Sequence, residues 1–407
     1  MAIFAGIEAI DSTEIEDTFS EDMSSLLLDV MVKDSEISED LEAINTMTFA
    51  EEKFDASFEQ LEALESSIEE FGISKAVVKA VDPGQYLAKN GIIPSYENLN
   101  DLPTKDETSE MALEGIGESI KNAWKKIKEF MKKLWLKIKG FFSKIFQSFQ
   151  DYEKVLKNLK KKLGEVNDFD DKKYKDKKFK ILKKEDFEKG SKFVLETVKS
   201  LVDPLTKSAV TLVTDFNKVK GELAKIPDES GTNSITAIKY SMKYEKAANK
   251  LYKKYENSDD LIKYVGIEIE EEKVDDKTKY IVKSKSDKLV LNDLKEDRLK
   301  DHGYTSIDDI AKCVDIGIGL ISSSKLYETE IKTLDNVYKT FDTVMKDATN
   351  NLSDDTAKAR QMSKNISYVK SGISSTTKIA NTFMSVQWKY VKAAIAIANA
   401  GLSVATK

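Results

Sequence analysis

The chain has 407 residues, of which 41% are hydrophobic, so it is long enough to bury a substantial core, and this composition argues against wholesale disorder. Charged residues make up 33%, whereas the 17 glycines and 5 prolines are few, which favours long helices and argues against turn-rich sandwiches and barrels. The net charge of −7 hides two segments of opposite sign, because residues 1–114 carry a net charge of −22 and residues 115–407 carry +15.

Residues 1–81 are an acidic segment that is predicted to be helical. Its start, MAIFAGIEAIDSTEIED, has acidic residues where a secretory signal would have a basic and then an apolar region, so we expect no signal peptide. Further along, Phe58, Leu61, Leu64 and Ile68 recur at helical spacing. The segment is therefore predicted to form amphipathic helices that dock on another surface.

Residues 82–114 are predicted to be a connector that is irregular as far as residue 110. Three of the five prolines fall here (Pro83, Pro94 and Pro103), and two glycines lie between the first two of them. Proline and glycine at this density interrupt helices and expose the backbone. Because proteases cut exposed segments of this kind, we expect the connector to be accessible to them.

Residues 115–150 are predicted to form a basic amphipathic helix that has a net charge of +7 and a bend near Gly140. Apolar residues that step by three or four share one face, and these are Ile116, Ile120, Trp124, Ile127, Met131, Leu134, Ile138, Phe142, Ile145 and Phe149. Lysines lie mostly on the other face, and the candidate contacts to nucleic acid or membrane among them are Lys121, Lys125, Lys126, Lys128, Lys132, Lys133, Lys137 and Lys139.

Three roles are open for this helix. In the first, its apolar face packs against the rest of the protein and its lysines are only a solvated surface. In the second, it lies in a membrane interface, a role that fits tryptophan and phenylalanine on one face and lysine on the other. In the third the lysines neutralise nucleic-acid phosphates. The segment contains lysine but no arginine, so such binding would depend on charge and not on base sequence.

Residues 151–407 are predicted to be a helical body with one small β insertion. Helices are expected at 151–164, 184–201, 204–226, 233–257, 306–324, 326–351 and 354–403, the last with a break near Gly372. Alternating apolar residues between 263 and 292 predict an antiparallel hairpin or meander, in which Leu289 and Leu291 belong to the last strand. The fold class is therefore mainly α, a bundle of long amphipathic helices with a β insertion.

Few residues are available for common catalytic or metal chemistry. Cys313 is the single cysteine, which rules out an internal disulfide, and it is expected to be a small buried hydrophobe. His302 is the single histidine, and the sequence KDHGYTS predicts a surface turn around it. Phosphate-binding glycine motifs are absent from the sequence, since DIGIGL at 315–320 lies inside an apolar helical run. We therefore expect no enzyme, no cofactor and no metal.

The junction between the two charged segments resembles a processing site. The sequence Ala112-Leu113-Glu114, followed by Gly115, resembles the cleavage sites of the prohead proteases of large tailed bacteriophages. LEALE at 61–65 and IGE at 116–118 also fit a loose version of this pattern. Charge, composition and predicted order change together at Glu114, however, and the whole arrangement resembles the internal head proteins of T4-like and giant tailed phages.

That resemblance implies a non-enzymatic virion protein that is located inside the phage head, and in the host cytoplasm during assembly or after ejection. Residues 1–114 would be a propeptide that directs the chain into the prohead and is removed after Glu114. The implied partners are the prohead protease, capsid or scaffold core proteins, and packaged DNA bound without sequence preference. Loss of the −22 segment would leave a +15 protein for contact with DNA.

Two alternatives from other classes remain. A membrane-active effector, held inert by the acidic segment, would use the same apolar stripe and lysines. The longest apolar run, at 393–404, has 12 residues and falls short of the roughly 18 that a membrane span needs. An enzyme that relies on carboxylates alone would need a pair such as Asp308 and Asp309, but neighbouring residues on a helix point apart.

Overall fold

The structure is a computed structural model of the chain, and it describes residues 32–48, 105–197, 253–256, 258–274, 277–350 and 356–406 with a few isolated positions. For residues 105–124 the description covers the backbone alone. The main helices in chain order are α1 (residues 32–48), α2 (Lys105–Leu163), α3 (residues 184–197), α4 (Ile307–Asn350) and α5 (Thr356–Ser403). These helices form a bundle, which confirms the predicted mainly helical class.

Helix α5 lies at the centre of the bundle. Six consecutive residues, from Phe383 to Trp388, are buried, so this helix is covered on every side. It packs along both α2 and α4. The Tyr390 ring also meets the Phe187 ring of α3 edge-on, with 6.1 Å between the centroids. Each outer helix therefore needs only one apolar stripe, whereas α5 buries residues all round, including the polar Ser385 and Gln387.

The apolar stripe of α2 forms one wall of the core, as the sequence predicts from Ile127 onward. Its members are at most 4% exposed, and they are Ile127, Met131, Leu134, Trp135, Ile138, Phe141, Phe142, Ile145, Phe149, Tyr152, Leu156, Leu159 and Leu163. Trp135 stacks on Tyr338 of α4 with 4.5 Å between ring centroids, and its Nε1 donates to Asp335 at 2.9 Å. Predicted stripe residues before residue 125 lie outside the described side chains.

Helix α2 is longer and less interrupted than the sequence suggests. It runs for 59 residues, or about 90 Å, without a break at Gly140 or at residue 150. The prediction of an irregular connector up to residue 110 is therefore wrong for its last residues, which are helical from Lys105. The sequence KDETSEMALE is rich in strong helix formers. Packing of the stripe offsets the cost of about 1 kcal/mol for each internal glycine.

Helix α4 is also continuous where the sequence predicts a break near residue 325. Three serines there mimic a loop, but Ser323 and Ser324 hydrogen-bond back to the carbonyls of Leu320 and Ile321, at 2.7 and 2.6 Å. The glycines of DIGIGL belong to the packing of this helix and not to a phosphate loop. A Cβ on Gly317 would lie 2.8 Å from the Cβ of Ala394, so glycine lets α4 approach α5 closely.

The predicted break of α5 near Gly372 is not present, since the helix runs unbroken from Thr356 to Ser403. The end predicted for α3, at residue 201, lies past the described part of that helix, which reaches residue 197. The helices predicted at 204–226 and 233–257 lie almost wholly outside the described residues.

Three short antiparallel pairs complete the described fold. β1 (Asp168–Phe169) pairs with β6 (Ala405–Thr406), β2 (Phe179–Ile181) with β5 (Lys295–Asp297), and β3 (Ile267–Val274) with β4 (Lys277–Ser284). The β3–β4 hairpin is the predicted insertion, and its register runs from Ile267 opposite Ser284 to Val274 opposite Lys277.

The proposed last strand of the insertion is wrong. Leu289 and Leu291 lie at 3-10 turns, Ser286–Lys288 and Val290–Asn292, and Leu289 and Val290 are buried in the core. The Asn292 side chain donates to the Ser286 carbonyl at 2.7 Å and closes this segment. The alternation of leucines reflects successive tight turns that pack inward, a pattern that period-two spacing does not distinguish from a strand.

The single histidine is buried, which contradicts the predicted surface turn. His302 is 2% exposed, and its Nε2 lies 3.0 Å from the carbonyl oxygens of both Phe179 and Asp297. Those residues are opposite each other at one end of the β2–β5 pair, so the ring closes that end. Cys313 is fully buried as predicted, and burial raises the pKa of its thiol to about 12.

The N-terminus of α4 is fastened to α3 through one carboxylate. Ser306 caps the helix by accepting from the Asp309 backbone N–H at 3.2 Å. Asp309 accepts in turn from the N–H and hydroxyl of Thr305, both at 3.0 Å, and from Lys184 at 2.6 Å. Burial disfavours the carboxylate, but the bonds from Lys184 and Thr305 outweigh it and lower the pKa of Asp309 to about 2.

We expect Asp309→Asn to lower the free energy of unfolding by about 1–2 kcal/mol at pH 7. The folded-state pKa of about 2 lies below the unfolded value of about 3.9, so this stabilisation is present above pH 4 and is lost as the pH falls toward 2. Thermal unfolding of the two proteins between pH 7 and pH 2 measures it, and the difference should vanish at the acid end. Asp308→Asn, at an exposed carboxylate beside it, should behave like the unaltered protein.

Candidate functional site: the acidic helix on the basic bundle

Helix α1 belongs to the acidic segment, and it packs into the core of the basic segment. Val30, Ile37 and Ile44 are at most 2% exposed and join the same hydrophobic cluster as α2, α4 and α5. Together with Asp34 and Leu41 they step by four and three residues, which is the spacing of a coiled-coil seam. The acidic segment is therefore an integral layer of the bundle at this point, with one carboxylate on its buried seam.

The carboxylate of Asp34 meets two hydrogen-bond donors and one ammonium group, which come from two helices. The Tyr152 hydroxyl of α2 donates to its Oδ1, and Trp388 Nε1 of α5 donates to the same oxygen at 3.2 Å. Lys392 Nζ, one turn further along α5, lies 3.1 Å from Oδ2 and 4.5 Å from the centroid of the Trp388 ring. We call these four residues the Asp34 hub. It joins α1, α2 and α5 at a single buried point.

The buried charge and the donors of the hub favour one position of α1. Burial raises the pKa of Asp34, while Lys392 and the hydrogen bonds from Tyr152, Lys392 and Trp388 act in the opposite direction. Burial, with the Asp34 charge nearby, raises the pKa of the Tyr152 hydroxyl well above its usual value, so this group stays protonated and donates. If α1 shifted along the groove that α2 and α5 form around it, these buried donors and the carboxylate would all lose their partners. The hub thereby fixes the register of α1.

Ion pairs line the edge of the same contact. Asp40 lies 2.9 Å from Lys137 and 2.7 Å from Lys144, and Glu36 lies 3.4 Å from Lys144. Partial burial disfavours the Asp40 carboxylate, but the hydrogen bonds from Lys144 and Lys137 outweigh it and lower its pKa. Carboxylates of the acidic segment thus neutralise lysines of the basic helix directly.

The eight predicted contact lysines fall into two groups and one undescribed position. Three of them form ion pairs: Lys137 with Asp40, Lys139 with Asp335 at 3.1 Å, and Lys128 with Asp342 at 3.9 Å. Four are exposed and form no ion pair with any residue that the structure describes, namely Lys125, Lys126, Lys132 and Lys133. Of Lys121 only the helical backbone is described.

The four unpaired lysines form a compact patch, which we call the lysine face. They lie as two adjacent pairs that are seven residues apart, so the pairs are separated by about 10 Å along one side of α2. This side is opposite the buried stripe that contains Ile127 and Leu134. Leu136, which is 58% exposed, lies one turn beyond them. The arrangement presents positive charge outward on a rigid helix.

The packing of α2 in the bundle also buries its apolar stripe. From Ile127 onward the side chains that a membrane-interface helix would insert are buried against α4 and α5. No helix in the described parts of the chain is long and apolar enough to cross a membrane. Among the described residues, no group of three or more histidine, cysteine or acidic side chains is placed to hold a metal ion.

The predicted cleavage residues, Ala112, Leu113, Glu114 and Gly115, lie in helical backbone near the start of α2. Their side chains are outside the description. A backbone held in a helix resists proteolysis until it unwinds, so cutting after Glu114 would require this end of α2 to open locally.

The Asp34 hub was not predicted from the sequence. Its periodic signal was present, since Val30, Ile37 and Ile44 repeat at seven-residue intervals, but the docking helix was inferred from Phe58 to Ile68 instead, which lie outside the described residues. Nothing local marks Asp34, because its partners Tyr152 and Trp388 are 118 and 354 residues away in the chain.

We expect Asp34→Ala to lower the free energy of unfolding by about 2–4 kcal/mol, because it leaves the donors of Tyr152 and Trp388 buried without an acceptor. Chemical denaturation of the full chain measures this. Glu39→Ala is the matched control, since it removes an exposed carboxylate of the same helix and should change stability by less than about 0.5 kcal/mol. Equal effects of the two substitutions would contradict the hub.

Comparison with known proteins gives a family match. A sequence profile of the phiKZ-like phage internal head proteins matches residues 33–400, which is most of the chain and includes helix α1. No curated protein and no solved structure matches.

Proposed function

The chain belongs to the phiKZ-like phage internal head proteins, structural proteins inside the virion head, and from that membership we propose that residues 1–114 are a propeptide removed by a prohead protease after Glu114. The proposed propeptide directs the chain into the assembling prohead through contacts with capsid or scaffold core proteins. Its removal leaves residues 115–407 to be packaged with DNA, and the same basic part is available for ejection into the host cytoplasm.

The charge distribution supports this proposal. Removal of residues 1–114 takes away a net charge of −22 and leaves a net charge of +15. A protein of that charge, inside a container that fills with a polyanion, gains free energy by displacing the counterions of DNA. While the acidic segment is attached, its carboxylates occupy lysines of the bundle, as Asp40 does with Lys137 and Lys144. Loss of the acidic segment therefore acts as an electrostatic switch.

The lysine face is the proposed DNA contact, and one observation carries this assignment. Lys125, Lys126, Lys132 and Lys133 have no carboxylate partner among the described residues, although other lysines of the same helix do. An ammonium group without a carboxylate partner is free to neutralise a phosphate. Lysine acts as a point charge without the bidentate geometry that reads bases, so the binding is independent of sequence.

Processing predicts a defined N-terminus in the virion. We expect intact mass and N-terminal sequencing of the protein from purified phage heads to give a chain that begins at Gly115. Glu114→Ala should leave the uncut chain in the heads, whereas Glu65→Ala, in the similar sequence LEALE, should be processed normally. A chain from heads that still begins at Met1 or Ala2 would overturn the proposal.

The DNA contact predicts a change in salt dependence. We expect the full chain carrying Lys125→Gln, Lys126→Gln, Lys132→Gln and Lys133→Gln to bind duplex DNA more weakly, with the slope of log K against log salt reduced by about 3–4. The measurement is fluorescence anisotropy between 50 and 200 mM NaCl, with duplexes of two unrelated sequences.

The matched control alters four exposed lysines that already pair with carboxylates. These are Lys154, Lys157, Lys160 and Lys189, which pair with Asp151, Glu153, Asp315 and Glu185. The control variant removes the same formal charge and should keep a slope near that of the unaltered chain. Equal losses in both variants would show that net charge alone, and not the lysine face, determines binding.

A further inference from the structure

The groove that holds α1 is formed by side chains of α2 and α5, and the described contacts do not involve the segment that joins α1 to α2. Tyr152 and Lys144 come from α2, and Trp388 and Lys392 come from α5. We propose that residues 30–48 bind this groove as a separable helical ligand, so that the acidic helix stays on the bundle after the chain is cut between α1 and α2. The inference rests on the proposed function in taking such a cut to occur.

Three kinds of contact, all independent of the link, suit the groove to this occupant. Val30, Ile37 and Ile44 fill it with apolar side chains at heptad spacing. The Asp34 hub supplies a buried polar contact that specifies the register. At the edge, ion pairs of both polarities oppose sliding, since Lys33 of α1 lies 2.6 Å from Asp151 of α2.

Charge complementarity points to the same ligand. Residues 30–48 contain five acidic residues and one lysine, a net charge of −4. The groove presents lysines to them, and Lys137, Lys144 and Lys392 each lie within 3.1 Å of a carboxylate oxygen of α1. An apolar groove bordered by lysines fits an acidic amphipathic helix better than it fits a bare polyanion, which offers nothing to cover the apolar surface.

Retention of α1 divides the charge switch into two steps. Cutting the backbone alone leaves the carboxylates of α1 on the lysines that they already occupy. The second step is dissociation, and only then are Lys137, Lys144 and Lys392 available to another anion. Salt screens the edge pairs but acts weakly on the buried hub, so ionic strength should loosen the helix without releasing it completely.

The test cuts the full chain at a chosen place. A recognition sequence for a site-specific protease is inserted between residues 90 and 91, in the predicted connector, and the purified protein is digested. Native mass spectrometry and size-exclusion chromatography then follow the two fragments. We expect them to stay together at 0.15 M NaCl and the dissociation constant to rise several-fold by 1 M NaCl. Separation of the fragments at 0.15 M NaCl would overturn the proposal.

Two variants identify the hub as the anchor. After the same cut, Asp34→Ala should raise the dissociation constant at least tenfold, and Glu39→Ala should leave it unchanged. If Asp34→Ala fails to fold before cutting, Lys144→Gln replaces it, since this variant loses the contacts to Asp40 and Glu36 and should reduce the salt dependence of retention. An Asp34→Ala or Lys144→Gln protein that behaves like the unaltered chain would contradict the proposal.

The outcome is separable from that of the proposed function. The inserted site is cut whether or not the phage protease acts after Glu114, so retention can be established for a chain that is never processed in the head. Conversely, a chain found to begin at Gly115 in virions, together with fragments that separate at 0.15 M NaCl, would keep the processing proposal and refute retention.

Discussion

A carboxylate at the buried seam of the bundle is the constraint on which this structure depends. Asp34 is 4% exposed and is the point where α1, α2 and α5 meet. A buried carboxylate that has two hydrogen-bond donors and one ion pair is not strongly stabilising by itself, because desolvation offsets much of the attraction. Its consequence is specificity: α1 has one position in which Asp34 meets Tyr152, Trp388 and Lys392 together. That position also brings Asp40 to the lysines at the edge of the groove.

This constraint also determines how the two oppositely charged segments associate. A net −22 segment beside a +15 segment could associate loosely in many ways. The seam and the hub select one arrangement, in which carboxylates of α1 neutralise Lys137 and Lys144 of α2 while the lysine face, which lies nearer the start of the same helix, stays open. The chain belongs to the phage internal head protein family, and in the proposed function the open face and the covered lysines are two stages of one electrostatic contact with packaged DNA.

Sequence periodicity predicted the parts of the fold that depend on local pattern. The helical class, the α2 stripe from Ile127, the β3–β4 hairpin and buried Cys313 all follow from the spacing of apolar residues. Breaks were predicted wrongly near residue 325 and near Gly372, where the helices run on without interruption. At the first of these, hydroxyl groups bond back to the helix, as Ser323 does, and a run of serines in the sequence does not reveal this. The hub was beyond prediction, since it joins residues 118 and 354 positions apart.

The most direct test of the account is a double-mutant cycle between Asp34 and Tyr152. Free energies of unfolding of the full chain, of Asp34→Ala, of Tyr152→Phe and of the double variant give the coupling energy of the two side chains. The account predicts a coupling of about 1–3 kcal/mol, because the hydroxyl loses its acceptor when the carboxylate is removed. Additive effects, with a coupling near zero, would contradict the placement of the acidic helix on the bundle.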